Sequence, residues 1–401
     1  MEANFTMKLL VICQYYYPEP FRISDICEAL VEKGHQVTVL TGLPNYPEGK
    51  IFDHYRFGKN RKEMINGVNI IRSFEIGRGN NKVSLFLNYF SFALSASVKA
   101  LFMKEKFDAV FVNQLSPVFM GIPAMVYKKK HKKKMLLYCL DIWPASLTAG
   151  GIKEGSIIYK LFHHISKWIY HSADHVAVSS GMFIDYFRET IGMQTESILH
   201  LPQYAEQLFS EKIEVNRRNQ FHFVFAGNIG VMQSVQTIVK AAYELRKDTT
   251  VRFHIVGDGS KLEEIKLQSK NLGLQNIIFH GRKPLSEMPK YYSLADAMLV
   301  TLKNDATLSS TLPGKVQSYM AAGKPIIGAI NGEANQIIKD AQCGYCCEAE
   351  NYHELANSIV QFCENSEKHQ MAINSYDYYC KNYSKERFLN VLEDTLIKME
   401  A

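Results

Sequence analysis

Tryptophan is nearly missing from this chain, with two in 401 residues. A second Cys-x-x-Cys pair is missing altogether. The spacing occurs in "CGYCC" (343–347), and nothing at zinc distance answers it, which argues against a zinc ribbon or finger. The other cysteines mostly sit in apolar runs such as "LLVICQ" and "LLYCLDIW" and read as core thiols in a reducing compartment. The opening "MEANFTMKLLVICQYYYPEP" lacks a long apolar segment and runs into a strand pattern, so no signal peptide is expected and a cytoplasmic protein is. An uninterrupted span of about 20 apolar residues is lacking too. "VSLFLNYFSFALSASVKALF" (83–102) contains four serines, an Asn and a Lys, and reads as an amphipathic or buried helix. Charge of one sign is not in large excess: the net charge is +6, which by itself names no partner.

What is there is alternation. Strand-like runs lie at 8–15, 36–42, 69–74, 108–114, 134–141, 175–180 and 196–202, with helix-like stretches between most of them, such as "FRISDICEALVEKGH" and "SIIYKLFHHISKWIYHSA". That order predicts a parallel sheet covered on both faces. A polar stretch, 203–220, breaks the rhythm. A second alternation follows, with strands at 221–227, 251–259, 276–281, 297–302 and 324–330, and 351–400 reads as helical throughout. The expected fold is α/β, with two doubly wound domains and a ligand cleft between them. Residues 1–202 form the first domain, 203–220 a linker and 221–383 the second domain. Residues 384–401 form a C-terminal helix packing back on the first domain.

The second half carries glycines where strands end. "FAGNIGVMQS" places Gly227, Asn228 and Gly230 between a strand and a helix. "HIVGDGSKLEEI" repeats the shape at Gly257, with Asp258 and Ser260 as candidate caps. "FHGRKP" adds Gly281, Arg282 and Lys283. "LPGK" puts Pro313, Gly314 and Lys315 at the start of a short helix, whose free N–H groups and lysine suit an anion. Each loop alone reads equally as a tight turn. Together, on one edge of a parallel sheet, they predict a site for a diphosphate attached to something planar.

With these residues in view, the chain resembles the GT-B glycosyltransferases of glycosyltransferase family 4, and within it the branch holding the WbuB-type bacterial amino-sugar transferases. The likeness rests on "ICQYYYPEPFRISDICEALVEKGHQVTVLTGLPNYPEGKIF", "LDIWPASL", "FAGNIGVMQSVQTIVKAA", "IVGDGS", "FHGRKPLSEMPKYYSLADAMLV" and "LPGKVQSYMAAGKPIIGAINGEANQII". It implies the GT-B fold, with two Rossmann-like domains facing a central cleft. It also implies a nucleotide-sugar donor, expected to carry UDP, on the C-terminal domain and an acceptor on the N-terminal domain. Transfer with retention is implied, and neither a cofactor nor a bound metal is required. Positive side chains and helix N-termini then stabilise the leaving diphosphate, and Lys315 is the first candidate. The implied product is a bacterial surface polysaccharide, built from an N-acetylated hexosamine or 6-deoxyhexosamine.

Two departures stand out. The Glu-x7-Glu pair of many members is replaced here by Ser310 and Ser318, and the Arg and Lys of their first glycine loop by Asn228 and Gln233. Two alternatives stay open: a nucleotide-sugar-binding protein without transferase activity, which the missing glutamates suggest, or the GT-B fold with other chemistry, such as a nucleotide-sugar epimerase. Glu333, in "NGE", reads either as a hydroxyl acceptor for ribose or sugar, or as an acid at a helix start.

In the first half, "YYYPEPFRIS" offers Glu19 and Arg22 beside the acceptor. Arg22 reads as a phosphate clamp or as a surface arginine at a helix start. "LPNYPEGKIF" offers Asn45 and Tyr46, and "LDIWP" offers Asp141 and Trp143. Asp141, at a strand's carboxyl end, is the leading catalytic or orienting candidate, and capping the following turn is its other reading. "KKKHKKK" (128–134) packs six lysines into seven residues, read as a loop between a helix and a strand. A solvated loop explains them. So does an anionic membrane surface met jointly with helix 83–102, which places the protein peripherally at the inner face of the plasma membrane beside a lipid-linked saccharide acceptor. No interleaved aromatics or nucleic-acid motif accompany them, so nucleic acid is not expected.

Overall fold

The computed structural model describes residues 6–79, 81–148, 151–209, 212–213 and 220–400. Of the expected linker 203–220, residues 210–211 and 214–219 lie outside that set. The chain divides into two compact units: unit 1 is Met1–Ser179, Phe183–Leu201 and Leu389–Ala401, and unit 2 is Ser180–Met182 and Pro202–Phe388.

Unit 1 is built on β1 (Lys8–Ile12), β2 (Gln36–Thr41), β3 (Lys62–Ile65), β4 (Val68–Arg72), β5 (Ala109–Gln114), β6 (Lys134–Cys139), β7 (His175–Val178) and β8 (Ile198–His200). The sheet order is β3-β4-β2-β1-β5-β6-β7-β8, parallel throughout except where β3 runs antiparallel to β4. All six residues of β5 are buried, and its first four, AVFV, are the continuous apolar run of a strand covered on both faces. β3 ("KEMI") was not anticipated. It is polar and half exposed, because an edge strand needs no apolar pattern.

Helices α1 (Ile23–Glu32), α2 (Lys82–Phe102), α3 (Ile122–His131), α4 (Ile157–Ser172) and the short α5 (Met182–Asp185) follow in chain order. Asn81 and Ser84 start α2 with a reciprocal capping box. One stripe of α2, including Tyr89, Phe92, Ala93, Ala96 and Ala100, enters the core with Leu10, Val112 and Leu137. Its other face leaves Val83, Phe86, Leu87, Phe90 and Leu94 exposed. Among the described residues, α2 is the helix long and apolar enough to cross a membrane by length and composition. Ser156 caps α4, which buries Tyr159, Ile169 and Tyr170 and exposes Ile157, Ile158, Leu161 and Trp168.

The lysine run is not a loop. Lys128, Lys129, Lys130 and His131 form the last turn of α3, where the helix dipole favours cations, and Lys134 opens β6. Lys128 is tied to Asp174 at 2.6 Å.

Unit 2 contains β9 (Phe221–Ala226), β10 (Val251–Val256), β11 (Ile277–Gly281), β12 (Ala297–Thr301), β13 (Ile326–Ala329) and β14 (Gly344–Cys347), all parallel in the order β11-β10-β9-β12-β13-β14. β14 lies in "CGYCC", whose cysteines disguise a strand. The helices are α6 (Gln236–Glu244), α7 (Leu262–Asn271), α8 (Met288–Leu294), α9 (Ala306–Ser309), α10 (Gly314–Ala321), α11 (Glu333–Asp340), α12 (Tyr352–Glu364), α13 (Lys368–Tyr383) and α14 (Lys385–Glu400). From Leu389 on, α14 counts with unit 1, and its Glu393 meets Lys33 at 2.6 Å and His35 at 2.9 Å.

Candidate active site

A doubly wound sheet binds ligands at the carboxyl ends of its strands, where the strand order reverses. In unit 2 that point lies between β9 and β12. The chain leaves β9 at Gly227, with φ +144°, and turns through Asn228 and Gly230. Gln233 braces the turn by accepting from the Gly230 N–H and the Asn228 amide, each at 3.2 Å. Gly257 follows β10 and lies against this loop, where a Cβ would stand 1.8 Å from the Gly227 carbonyl oxygen. The Gly257 N–H donates in turn to the Gly281 carbonyl at 2.9 Å. The three loops therefore form one ledge of backbone. Asp258 and Ser260 do not cap α7: its N-cap is Lys261, without a side-chain bond, and Asp258 accepts from the N–H of Gly259 instead. Arg282 is exposed just past the ledge.

Behind the ledge, α10 begins. Pro313 is its N-cap and Gly314, exposed, its first residue. The first turn of any helix leaves N–H groups without intrahelical partners. The Lys315 side chain folds back over the Phe225 ring, with Nζ 3.9 Å from the ring centroid. A Cβ on Gly227 would meet that Nζ at 3.1 Å. The Nζ is closed off from solvent and has no hydrogen-bond partner among the described residues. Burial pushes its pKa down to about 7. An ammonium held bare at a helix start beside a glycine ledge is arranged to receive an anion.

The serines at this helix are occupied. The Ser310 hydroxyl donates to the Thr307 carbonyl at 2.9 Å, and the Ser310 carbonyl accepts from Ser180. Ser318 donates to Glu206 Oε2 at 2.8 Å and to the Gly314 carbonyl at 3.1 Å. Glu206, which lies in the polar stretch 203–220 with no spacing to mark it, thus brings a carboxylate to α10. Tyr319, also unforeseen, pins the end of β9 by bonding both the N–H and the carbonyl of Ala226.

Glu333 is corrected. It opens α11, but its carboxylate does not await a sugar hydroxyl. Oε1 accepts from the Gly181 N–H at 2.8 Å, and Oε2 from the Met182 N–H at 3.0 Å and from the Ser180 hydroxyl. It is buried and serves as a structural anchor.

In unit 1 the reversal lies between β1 and β5. Glu19 and Asn45, expected to line a site, are buried as loop staples instead. Glu19 accepts backbone N–H bonds from Tyr16, Asn45 and Tyr46 at 3.3, 2.9 and 2.7 Å. Burial nevertheless pushes its pKa up to about 7 against those bonds. Asn45 donates to Glu75, a wholly buried acid held also by Gln14. Tyr46 is half buried against Tyr15 and Phe21, and Arg22 stands at the N-cap of α1.

Asp141 follows β6. Its carboxyl lies among the side chains of Ser146, Ser116 and Trp143. Burial raises its pKa and these donors oppose the rise. Trp143 is buried, and its Nε1–H donates to Ser116 at 2.9 Å. The structure therefore brings Asp141 and Trp143 together, while Glu19 and Asn45 hold loops. No cluster of three or more metal-ligating side chains occurs among the described residues.

The architecture is that of solved GT-B glycosyltransferases. HepE from Anabaena, solved with UDP-glucose, aligns over 98% of this chain and 100% of its own at a TM-score of 0.70 and 15% identity, a likeness of fold. The Glycosyl transferase 4-like domain matches residues 21–202, and the Glycosyl transferases group 1 family matches residues 207–377. The chain thus pairs an N-terminal region matching the Glycosyl transferase 4-like domain with a C-terminal region matching the Glycosyl transferases group 1 family, on the GT-B fold. Among relatives, WbjE of Pseudomonas aeruginosa, which bears a glycosyltransferase name, is 27% identical over 62% of this chain. That match spans 64% of WbjE, less than two thirds of its length. WcaI of Escherichia coli K12, named for colanic acid biosynthesis, is 23% identical over 79% of this chain and 82% of its own.

Proposed function

We propose that this protein is a retaining glycosyltransferase using a UDP-linked donor. Its sugar is an N-acetylated hexosamine or 6-deoxyhexosamine, and its acceptor a lipid-linked saccharide of bacterial surface polysaccharide synthesis, at the inner face of the plasma membrane. The observation that carries the reading is Lys315, whose buried ammonium has no partner among the described residues, at the start of α10 and beside Gly227. A diphosphate supplies the missing counter-charge, and the N–H groups of α10 take its oxygens. HepE's UDP-glucose and the colanic acid role in WcaI's name lend support by likeness.

In this reading the acceptor oxygen bonds to the anomeric carbon on the face from which the diphosphate departs. The C1–O bond to phosphate breaks, its electron pair leaves with the diphosphate, and the diphosphate takes the acceptor's proton. Lys315 stabilises the charge that develops. Asp141 orients the acceptor hydroxyl. No metal is assigned a part. The lysines of 128–134 and the exposed apolar faces of α2 and α4 meet an anionic bilayer, each lysine near it contributing about 1 kcal/mol.

A thermal-shift panel of UDP, GDP, ADP, CMP and dTDP tests the donor site. Native-state binding at a hundredfold excess over Kd stabilises by about 2.7 kcal/mol. A rise with UDP that disappears in Lys315→Ala is the expected result. No rise with any nucleotide removes the diphosphate reading. The serines at 310 and 318 favour a second reading, donor binding without turnover. A UDP shift with no transfer to any lipid-linked acceptor would select it.

A further inference from the structure

Unit 1 contains a cavity of about 440 Å³ that the donor chemistry does not use. Phe86, Tyr89, Phe119, Trp143, Ile158 and Phe162 wall it. Its two ends differ. Tyr89, Phe119 and Trp143 are nearly closed from solvent, whereas Phe86 and Ile158 are 47% and 55% exposed and mark the mouth. At the inner end stand Ser116 and Ser146, two of the groups around the Asp141 carboxyl. Lys82, at the first position of α2, is the one cation among the described lining residues.

A saccharide does not suit these walls: it would strip water from many hydroxyls and find two serines in return. An apolar chain does suit them. The mouth is continuous with exposed Val83, Leu87 and Phe90 on α2 and Ile157 and Leu161 on α4, so a chain leaving the cavity stays against apolar surface. We infer that this cavity binds the first carbons of a long apolar chain joined to a phosphate, that is, the chain of a lipid-phosphate acceptor. The phosphate is countered by Lys82, and the remaining chain runs out along α2 and α4. The inference rests on the acceptor class proposed above and names the site that recognises it.

Trp143 in the wall provides the readout. The other tryptophan, Trp168, is exposed, so Trp168→Phe leaves Trp143 as the one tryptophan of the full-length protein, excited selectively at the red edge where tyrosine does not absorb. The probe is dodecyl phosphate brominated in mid-chain, below its micelle concentration. Saturable quenching of Trp143 is expected, with affinity changing about fourfold per buried methylene between chain lengths. Butyl phosphate should not compete. Dodecanol should compete at least tenfold more weakly than dodecyl phosphate, and Lys82→Glu should erase that difference. Phe86→Asp and Ile158→Asp, both at the exposed mouth, should weaken quenching at least tenfold. The UDP thermal shift should survive in both, which also reports that they fold. Absent or non-saturable quenching overturns the assignment. So does quenching indifferent to Phe86→Asp and Ile158→Asp, equal competition by butyl phosphate, or dodecanol binding as tightly as the phosphate. Quenching without a UDP shift would sink the donor reading and leave this site standing.

Discussion

Lys315 and Glu333 invite comparison. Both are charged residues of unit 2 in the first turn of a helix, and both carry their charge inside the protein. Glu333 is satisfied: two backbone N–H groups and a hydroxyl from Ser180–Met182 take its oxygens. Lys315 has an aromatic face beneath it and no hydrogen-bond partner among the described residues. A buried charge with partners holds structure together, whereas one without them costs stability unless a ligand arrives. Position in a motif did not separate the two, but their hydrogen bonds do.

The largest effect should come from Lys315→Met. We expect at least a hundredfold rise in the Kd for UDP by calorimetry, about 2.7 kcal/mol. The ligand-free variant should also be more stable than the parent to urea, since an apolar side chain of similar shape removes the buried charge. Loss of stability in the variant would mean that Lys315 has a structural partner.

Glu333→Gln should do the reverse. It removes charge-assisted bonds from three donors and should lower the unfolding free energy by about 2 kcal/mol. The Kd for UDP should stay within about threefold. A large loss of UDP affinity in a folded Glu333→Gln would return Glu333 to the donor site.

A third expectation concerns pH. The Lys315 pKa is depressed in the fold, from 10.5 to about 7. Between those values the unfolded chain holds the proton and the ligand-free fold does not, so stability rises with pH across that window. Diphosphate binding requires the ammonium. Below pH 7 the Kd should be flat, and above it the Kd should rise by up to about tenfold per pH unit, with proton uptake measurable by calorimetry in buffers of different ionisation enthalpy. A Kd flat to pH 9 would remove Lys315 from the contact.

The smallest effect should come from Lys324, another buried lysine of the same unit. Its pKa is lowered to about 8 by burial, with Asp296 opposing, and its Nζ reaches the Ala295 carbonyl at 3.5 Å. Lys324→Met should change urea stability by no more than about 1 kcal/mol and leave UDP binding unaltered. A loss of UDP binding there would show that the site is not specific to Lys315.

Much of the fold was legible because parallel strands buried on both faces print themselves as apolar runs. β3 and β14 were not, one being a polar edge strand and the other written in glycine and cysteine. The glycine ledge and Lys315 could be found in sequence because backbone turns and helix starts have local signatures. The fates of Glu19, Asn45 and Glu333 could not, since each depends on partners far along the chain. Glu206 was invisible for the same reason: only folding places it at Ser318.

Gly257 and Gly332 have a consequence for sequence variation. A Cβ at 257 would lie 1.8 Å from the Gly227 carbonyl oxygen, and one at 332 would lie 1.9 Å from the Ser309 carbonyl oxygen. Neither clash can be relieved by turning a side chain, because the obstacle is main chain. In a saturation library these two positions should reject alanine whatever nucleotide or sugar is supplied. Selection at them acts on how closely strands and loops can pack, so recovering these glycines in a distant sequence identifies the scaffold and leaves the substrate to be read elsewhere.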